Sequence, residues 1–130
     1  MKKKIKKVII AIAAIGMLFG GMTAYASTQS TLIREPTSQG TLLCSITRPQ
    51  SSDTANVETD FPIRTTMQTG AVLRNISTNA IINNATSGTH VVSFQQVRMP
   101  NFTSGRTVTG SHHVRLSNGA VHNVVTRLSR

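Results

Sequence analysis

Hydrophobic positions are distributed in two ways along this chain. From Val8 to Met22 run 15 uncharged, mostly apolar residues, whereas beyond Ser27 the Val, Ile and Leu residues stand singly or in short runs among Thr, Ser, Asn and Gln. The first stretch is short for a membrane span, which takes about 20 apolar residues. It follows a basic opening with five lysines and precedes the small-residue motif Ala24-Tyr25-Ala26. Together these features describe a secretory signal peptide, residues 1–26, cleaved after Ala26. The lysine-rich opening looks like a bacterial export signal, so the expected location is secreted (extracellular). Residues 27–130 are expected to form one β-rich domain.

That remainder favours strands, because its apolar residues are mostly β-branched and its polar residues are rich in Thr. Turn-forming clusters recur at Gln39-Gly40, Asp60-Phe61-Pro62, Thr69-Gly70, Asn83-Asn84, Ser87-Gly88, Met99-Pro100-Asn101, Ser104-Gly105 and Asn118-Gly119. They cut the chain into strand-sized pieces. The predicted strands lie near residues 30–35, 41–48, 54–59, 63–68, 71–77, 89–98, 106–117 and 120–128. Seven or eight short strands in about 100 residues predict an all-β fold, a single small antiparallel β-sandwich or barrel-like domain.

Asn118-Gly119 is the clearest hairpin signal, since a type I′ turn needs positive φ at both central residues. A two-residue turn there pairs Leu116 with Val121, Arg115 with His122 and His113 with Val124. Alternation then sends His112, Val114, Leu116, Val121, Asn123 and Val125 to one face, and His113, Arg115, Ser117 and His122 to the other.

Charge adds a second asymmetry. Residues 27–130 hold nine Arg, four acids, four His and no Lys. All four acids, Glu35, Asp53, Glu58 and Asp60, precede Phe61; seven of the nine arginines follow it. A one-signed C-terminal region attracts a polyanion. Arg suits this role through its planar fork of donors, which matches phosphate and carboxylate oxygens. Aromatic residues narrow the choice of partner. Beyond the signal segment the chain has no Trp or Tyr, and only Phe61, Phe94 and Phe102, which are expected to be used up in the core. Base stacking on single-stranded nucleic acid needs exposed rings, so no nucleic acid is expected as partner.

No catalytic or metal-binding motif emerges. Cys44 is the single cysteine, in the apolar run Thr41–Ile46, and reads as a small buried hydrophobe. The predicted hairpin brings His113 and His122 together on one face, but a third ligand is missing, and no metal or other cofactor is expected. Asp53, Glu58 and Asp60 lack a calcium-loop motif. Ser, Thr and His are abundant without a nucleophile-elbow pattern, so the chain is not expected to be an enzyme.

These features lead to an expected function: a secreted bacterial β-sandwich binding module that docks its acid-free C-terminal region on an anionic surface such as a cell-wall polymer, or on an acidic protein partner. Arg106, Arg115, Arg127, Arg130, His113 and His122 are the expected anion-binding residues. A toxin or bacteriocin-like protein acting at a membrane surface, and an extracellular structural protein that oligomerises through strand edges, are the alternatives.

Overall fold

A computed structural model describes residues 29–130; the predicted signal peptide lies outside the described residues. Six strands form one antiparallel sheet: β1 (Gln29–Thr37), β2 (Gly40–Arg48), β3 (Ala55–Asn75), β4 (Ile81–Met99), β5 (Arg106–Arg115) and β6 (Val121–Ser129). The order is β1-β2-β3-β5-β6, with β4 on β3. The sheet is nearly closed into a barrel. His122 Nδ1 on β6 lies 3.3 Å from Glu35 Oε2 on β1 across the seam. The β1–β2 and β5–β6 turns also meet, through hydrogen bonds from Gln39 Nε2 to Ser117 Oγ and from Asn118 Nδ2 to Ser38 Oγ. The all-β antiparallel fold is therefore as expected.

Closure depends on β3, which is a single strand of 21 residues rather than the three short strands predicted over 54–77. Its first part, to Asp60, lies between β2 and the end of β4; its last part, from Thr66, lies between β5 and the start of β4. At the corner between them, four residues from Phe61 to Arg64 oppose the single residue Ser93. Pro62 has no N–H to give to a ladder and is at home in such a bulge. The proline and glycine signals at 60–62 and 69–70 thus mark bulges in a bent strand, where turns were predicted. In the same way β4 runs unbroken through Asn83-Asn84 and Ser87-Gly88.

Alternation fills the interior. Leu42, Cys44 and Ile46 on β2, Val57 and Phe61 on β3, and Val108, Val114 and Leu116 on and just after β5 are all buried. They form two apolar clusters, one around Phe102, Leu73 and Met99, the other around Phe61, Met67 and Val114. Fully burying a side chain such as Phe102 contributes roughly 1.5–3 kcal/mol. Phe94, in contrast, is 48% exposed, so the core takes two of the three expected phenylalanines.

The β5–β6 hairpin departs from its predicted register by one residue. Arg115 pairs with Val121, Val114 with His122 and His113 with Asn123. Leu116 N–H donates to Ala120 O, and Gly119 N–H to Leu116 O, so the loop holds three residues. Only Gly119 takes a positive φ, 88°; Asn118 does not, and instead its Oδ1 accepts from Ala120 N–H. A three-residue loop closed by one left-handed glycine replaces the type I′ turn. One slip exchanges faces along the whole strand. Val124 and Thr126 are buried on β6, while Val121 and Val125, expected on the same face as the buried Val114 and Leu116, are exposed.

Candidate functional site

Between the two apolar clusters lies a layer of buried polar side chains: Thr59 and Thr69 from β3, Gln95 from β4, His112 from β5 and Thr126 from β6. Thr126 Oγ1 is 2.8 Å from His112 Nε2; His112 Nδ1 is 2.8 Å from Thr59 Oγ1; Thr59 Oγ1 is 2.7 Å from Thr69 Oγ1; and Thr69 Oγ1 is 3.0 Å from Gln95 Oε1. One polarity satisfies the chain. Gly88 O can only accept, so Gln95 Nε2 donates to it at 3.2 Å and Gln95 Oε1 is left to accept from the Thr69 hydroxyl. Thr69 then accepts from Thr59, Thr59 from the Nδ1–H of His112, and His112 Nε2 from Thr126. Burial lowers the His112 pKa from 6.5 to about 4, which keeps the imidazole neutral, as this arrangement requires. Burial likewise pushes the Cys44 thiol up to about 12, with the nearby Glu35 carboxylate adding to the effect. Both reactive side chains are enclosed.

The open chemistry is on the outside. The sheet β4-β3-β5-β6, using the second part of β3, turns its outer face to solvent with Gln68, Val72 and Arg74 from β3, Thr107, Thr109, Ser111, His113 and Arg115 from β5, and Asn123, Val125 and Arg127 from β6. Its cations are Arg74, Arg115 and Arg127, with His113 beside them, and no carboxylate shares the face. Glu58 and Asp60 project from the first part of β3 on the other side of the barrel, where Glu58 Oε2 accepts from Gln96 Nε2 at 2.7 Å. Glu58 and Asp60 thus lie apart from Arg74, Arg115 and Arg127, on a face that they share with Arg34 and Arg98.

The six predicted anion-binding residues divide evenly. His113, Arg115 and Arg127 share this outer face; His113 Nδ1 sits 2.7 Å from Asn123 Oδ1. The other three are engaged by groups of the protein itself. Arg106 donates to Asn101 O at 2.8 Å, and Arg130 donates to Asp53 Oδ1 at 2.7 Å and to Phe102 O at 2.8 Å, closing one end of the barrel. His122 is turned inward toward Glu35. His113 and His122 therefore lie on opposite faces of the hairpin, and the shared face predicted for them does not form.

Arg74 was not among the expected residues. β3 pairs with β5 so that Arg74 is opposite Thr107, and β5 pairs with β6 so that Thr109 is opposite Arg127. Sequence separation hides this neighbourhood, since residues from three strands meet only after the pairing is known. Two depressions mark the face. One of about 410 Å³ is lined by Gln68, Gly70, Asn84, Thr86, Ser111 and His113. The other, of about 290 Å³, is lined by Arg74, Asn75, Ile76, Asn79, Thr107, Thr109 and Arg127. Arg115 stands eight residues along β5 from Thr107, roughly 27 Å at about 3.4 Å per residue.

No protein-family model matches this chain, and neither does any curated protein.

Proposed function

We propose that the protein is a secreted binding module that docks the outer face of β3, β5 and β6 on a linear anionic polymer, such as a phosphate-rich cell-wall polymer. The observation that carries this reading is the composition of that face: Arg74, Arg115, Arg127 and His113, with no carboxylate among them. Like charges held on one face of a sheet repel one another and are relieved by an anion laid across them. Arginines spread along the strand direction suit a ligand whose charges repeat along a chain. The Ser, Thr, Asn and Gln residues between them supply hydrogen-bond donors without a competing negative charge.

The test is co-sedimentation of the full chain with purified wall sacculi and, separately, with anionic vesicles across a salt series. Retention on sacculi that falls as salt rises supports the reading, because exposed charge interactions are screened within about 10 Å at ~0.1 M salt. Retention indifferent to salt, or equal on sacculi and vesicles, contradicts it.

A second reading has its own observation. β4 pairs only with β3, so among the described residues one edge of its 19-residue length is unpaired, and Ile81, Ile82, Val91 and Phe94 along it are exposed. Such an edge is a template for another strand. Self-association through β4 predicts an apparent mass that rises with protein concentration in sedimentation equilibrium; a constant monomer mass rejects it.

A further inference from the structure

The smaller depression on the outer face has features that a general electrostatic surface does not need. Arg74 Nε is buried without a hydrogen-bond partner, and neither the Arg74 nor the Arg127 guanidinium has a polar partner among the described residues. A buried N–H left unmatched costs about 1–3 kcal/mol, so such a group calls for a partner from outside the protein, a water or a bound ligand. Here the group lies in the wall of an open depression beside a second guanidinium and the hydroxyls of Thr107 and Thr109. At about 290 Å³ the space is at the lower limit of sites that take drug-sized molecules and suits a small polar group.

We infer that the Arg74–Arg127 depression is a phosphate-binding site, holding one phosphate group of the polymer between the two guanidinium forks. Two forks approaching from β3 and β6 on either side of β5 demand acceptor oxygens that point in different directions. A tetrahedral phosphate presents them, since even in a diester the two charged oxygens and the weaker ester oxygens do not share one plane, whereas a carboxylate offers only two oxygens in one plane. The Thr109 hydroxyl, without a partner among the described residues, adds a donor from the floor. This inference deepens the docking function and rests on it for the source of the phosphate, a polymer diester rather than free phosphate.

The experiment is an amide chemical-shift titration of the isotope-labelled full chain with inorganic phosphate, with a glycerol phosphodiester and with acetate at matched ionic strength. The wild type is compared with Arg74→Lys, Arg127→Gln and Arg115→Gln. Shifts confined to residues around Arg74, Thr107, Thr109 and Arg127 are expected with the diester and with inorganic phosphate, and not with acetate. Arg127→Gln is expected to weaken the phosphate response about tenfold or more. Arg74→Lys keeps the charge and the fold but loses the fork, and should weaken it as well. Arg115→Gln, outside the depression, should leave the titration unchanged while reducing retention on sacculi. A response to inorganic phosphate alone supports the site but assigns it to free phosphate. Shifts spread over the whole face, or equal weakening by all three substitutions, overturn the site while leaving polymer docking standing. Localised phosphate shifts in a protein whose wall retention ignores salt would instead reject the docking function and keep the site.

Discussion

The polar layer inside the barrel and the polar face outside it are built from similar residue types, yet they differ in how their hydrogen bonds are settled. From Thr126 through His112, Thr59 and Thr69 to Gln95, every donor meets one acceptor, and the Gly88 carbonyl sets the direction of the whole chain. On the outer face, Arg74 and Arg127 end without polar partners among the described residues. Matched groups fix the two halves of the barrel against each other. Unmatched ones leave binding capacity. The difference says that substitutions inside should act on stability and substitutions outside on binding.

The largest expected effect comes from breaking the interior. His112→Ala leaves the Thr59 and Thr126 hydroxyls buried without their partner and opens a cavity, and should cost about 4 kcal/mol in urea unfolding followed by circular dichroism. Next is acid. The folded-state pKa of His112, about 4, lies below its ordinary 6.5, so the unfolded chain takes up the proton first. Stability contributed by neutral His112 is fully present above about pH 6.5 and is lost as pH falls through about 4, by roughly 3 kcal/mol. A His112→Gln variant, which cannot titrate, should lack that part of the acid sensitivity; equal pH profiles would remove His112 from the explanation.

Gly110 sharpens the same point at smaller cost. A Cβ built there would come within 2.5 Å of Thr126 Oγ1 and 2.7 Å of Val57 Cγ1, so glycine is what lets the Thr126 hydroxyl reach the imidazole and the facing strands close. Gly110→Ala should destabilise by about 1–3 kcal/mol through overpacking, measured by the same unfolding. The smallest effect on stability is expected at the outer face: Arg127→Gln should change it by less than about 0.5 kcal/mol while lowering retention on sacculi.

Much of the fold was legible because it rests on alternation. Leu42, Cys44 and Ile46 on β2, and Val108, Gly110, His112 and Val114 on β5, repeat every second residue, and all are buried. Strand continuity was not legible: Pro62 and Gly70 read as turns, and only pairing on both sides of β3 shows that a bulge absorbs them. The hairpin register failed for a similar reason. Asn-Gly is compatible with more than one loop, and the choice of a single left-handed residue, Gly119, shifted every side chain of β6 to the opposite face. For the site, the excess of arginine was visible in composition, and three of six named residues reached the outer face. Arg106, Arg130 and His122 lie elsewhere, held by Asn101 O, Asp53 and Glu35 from other parts of the chain, contacts that the sequence does not display. Arg74 escaped notice because its relation to Arg127 exists only across three paired strands.

The most direct test of the central claim is the salt dependence of binding to a purified phosphate-rich wall polymer, compared between wild type and the Arg74→Gln/Arg127→Gln double variant, with circular dichroism confirming that both are folded. If the outer face docks the polymer, wild-type affinity falls steadily as salt rises, and the double variant binds more weakly with a shallower salt dependence. Equal affinity and equal slope in the two proteins would contradict the account and return these arginines to a role in solubility.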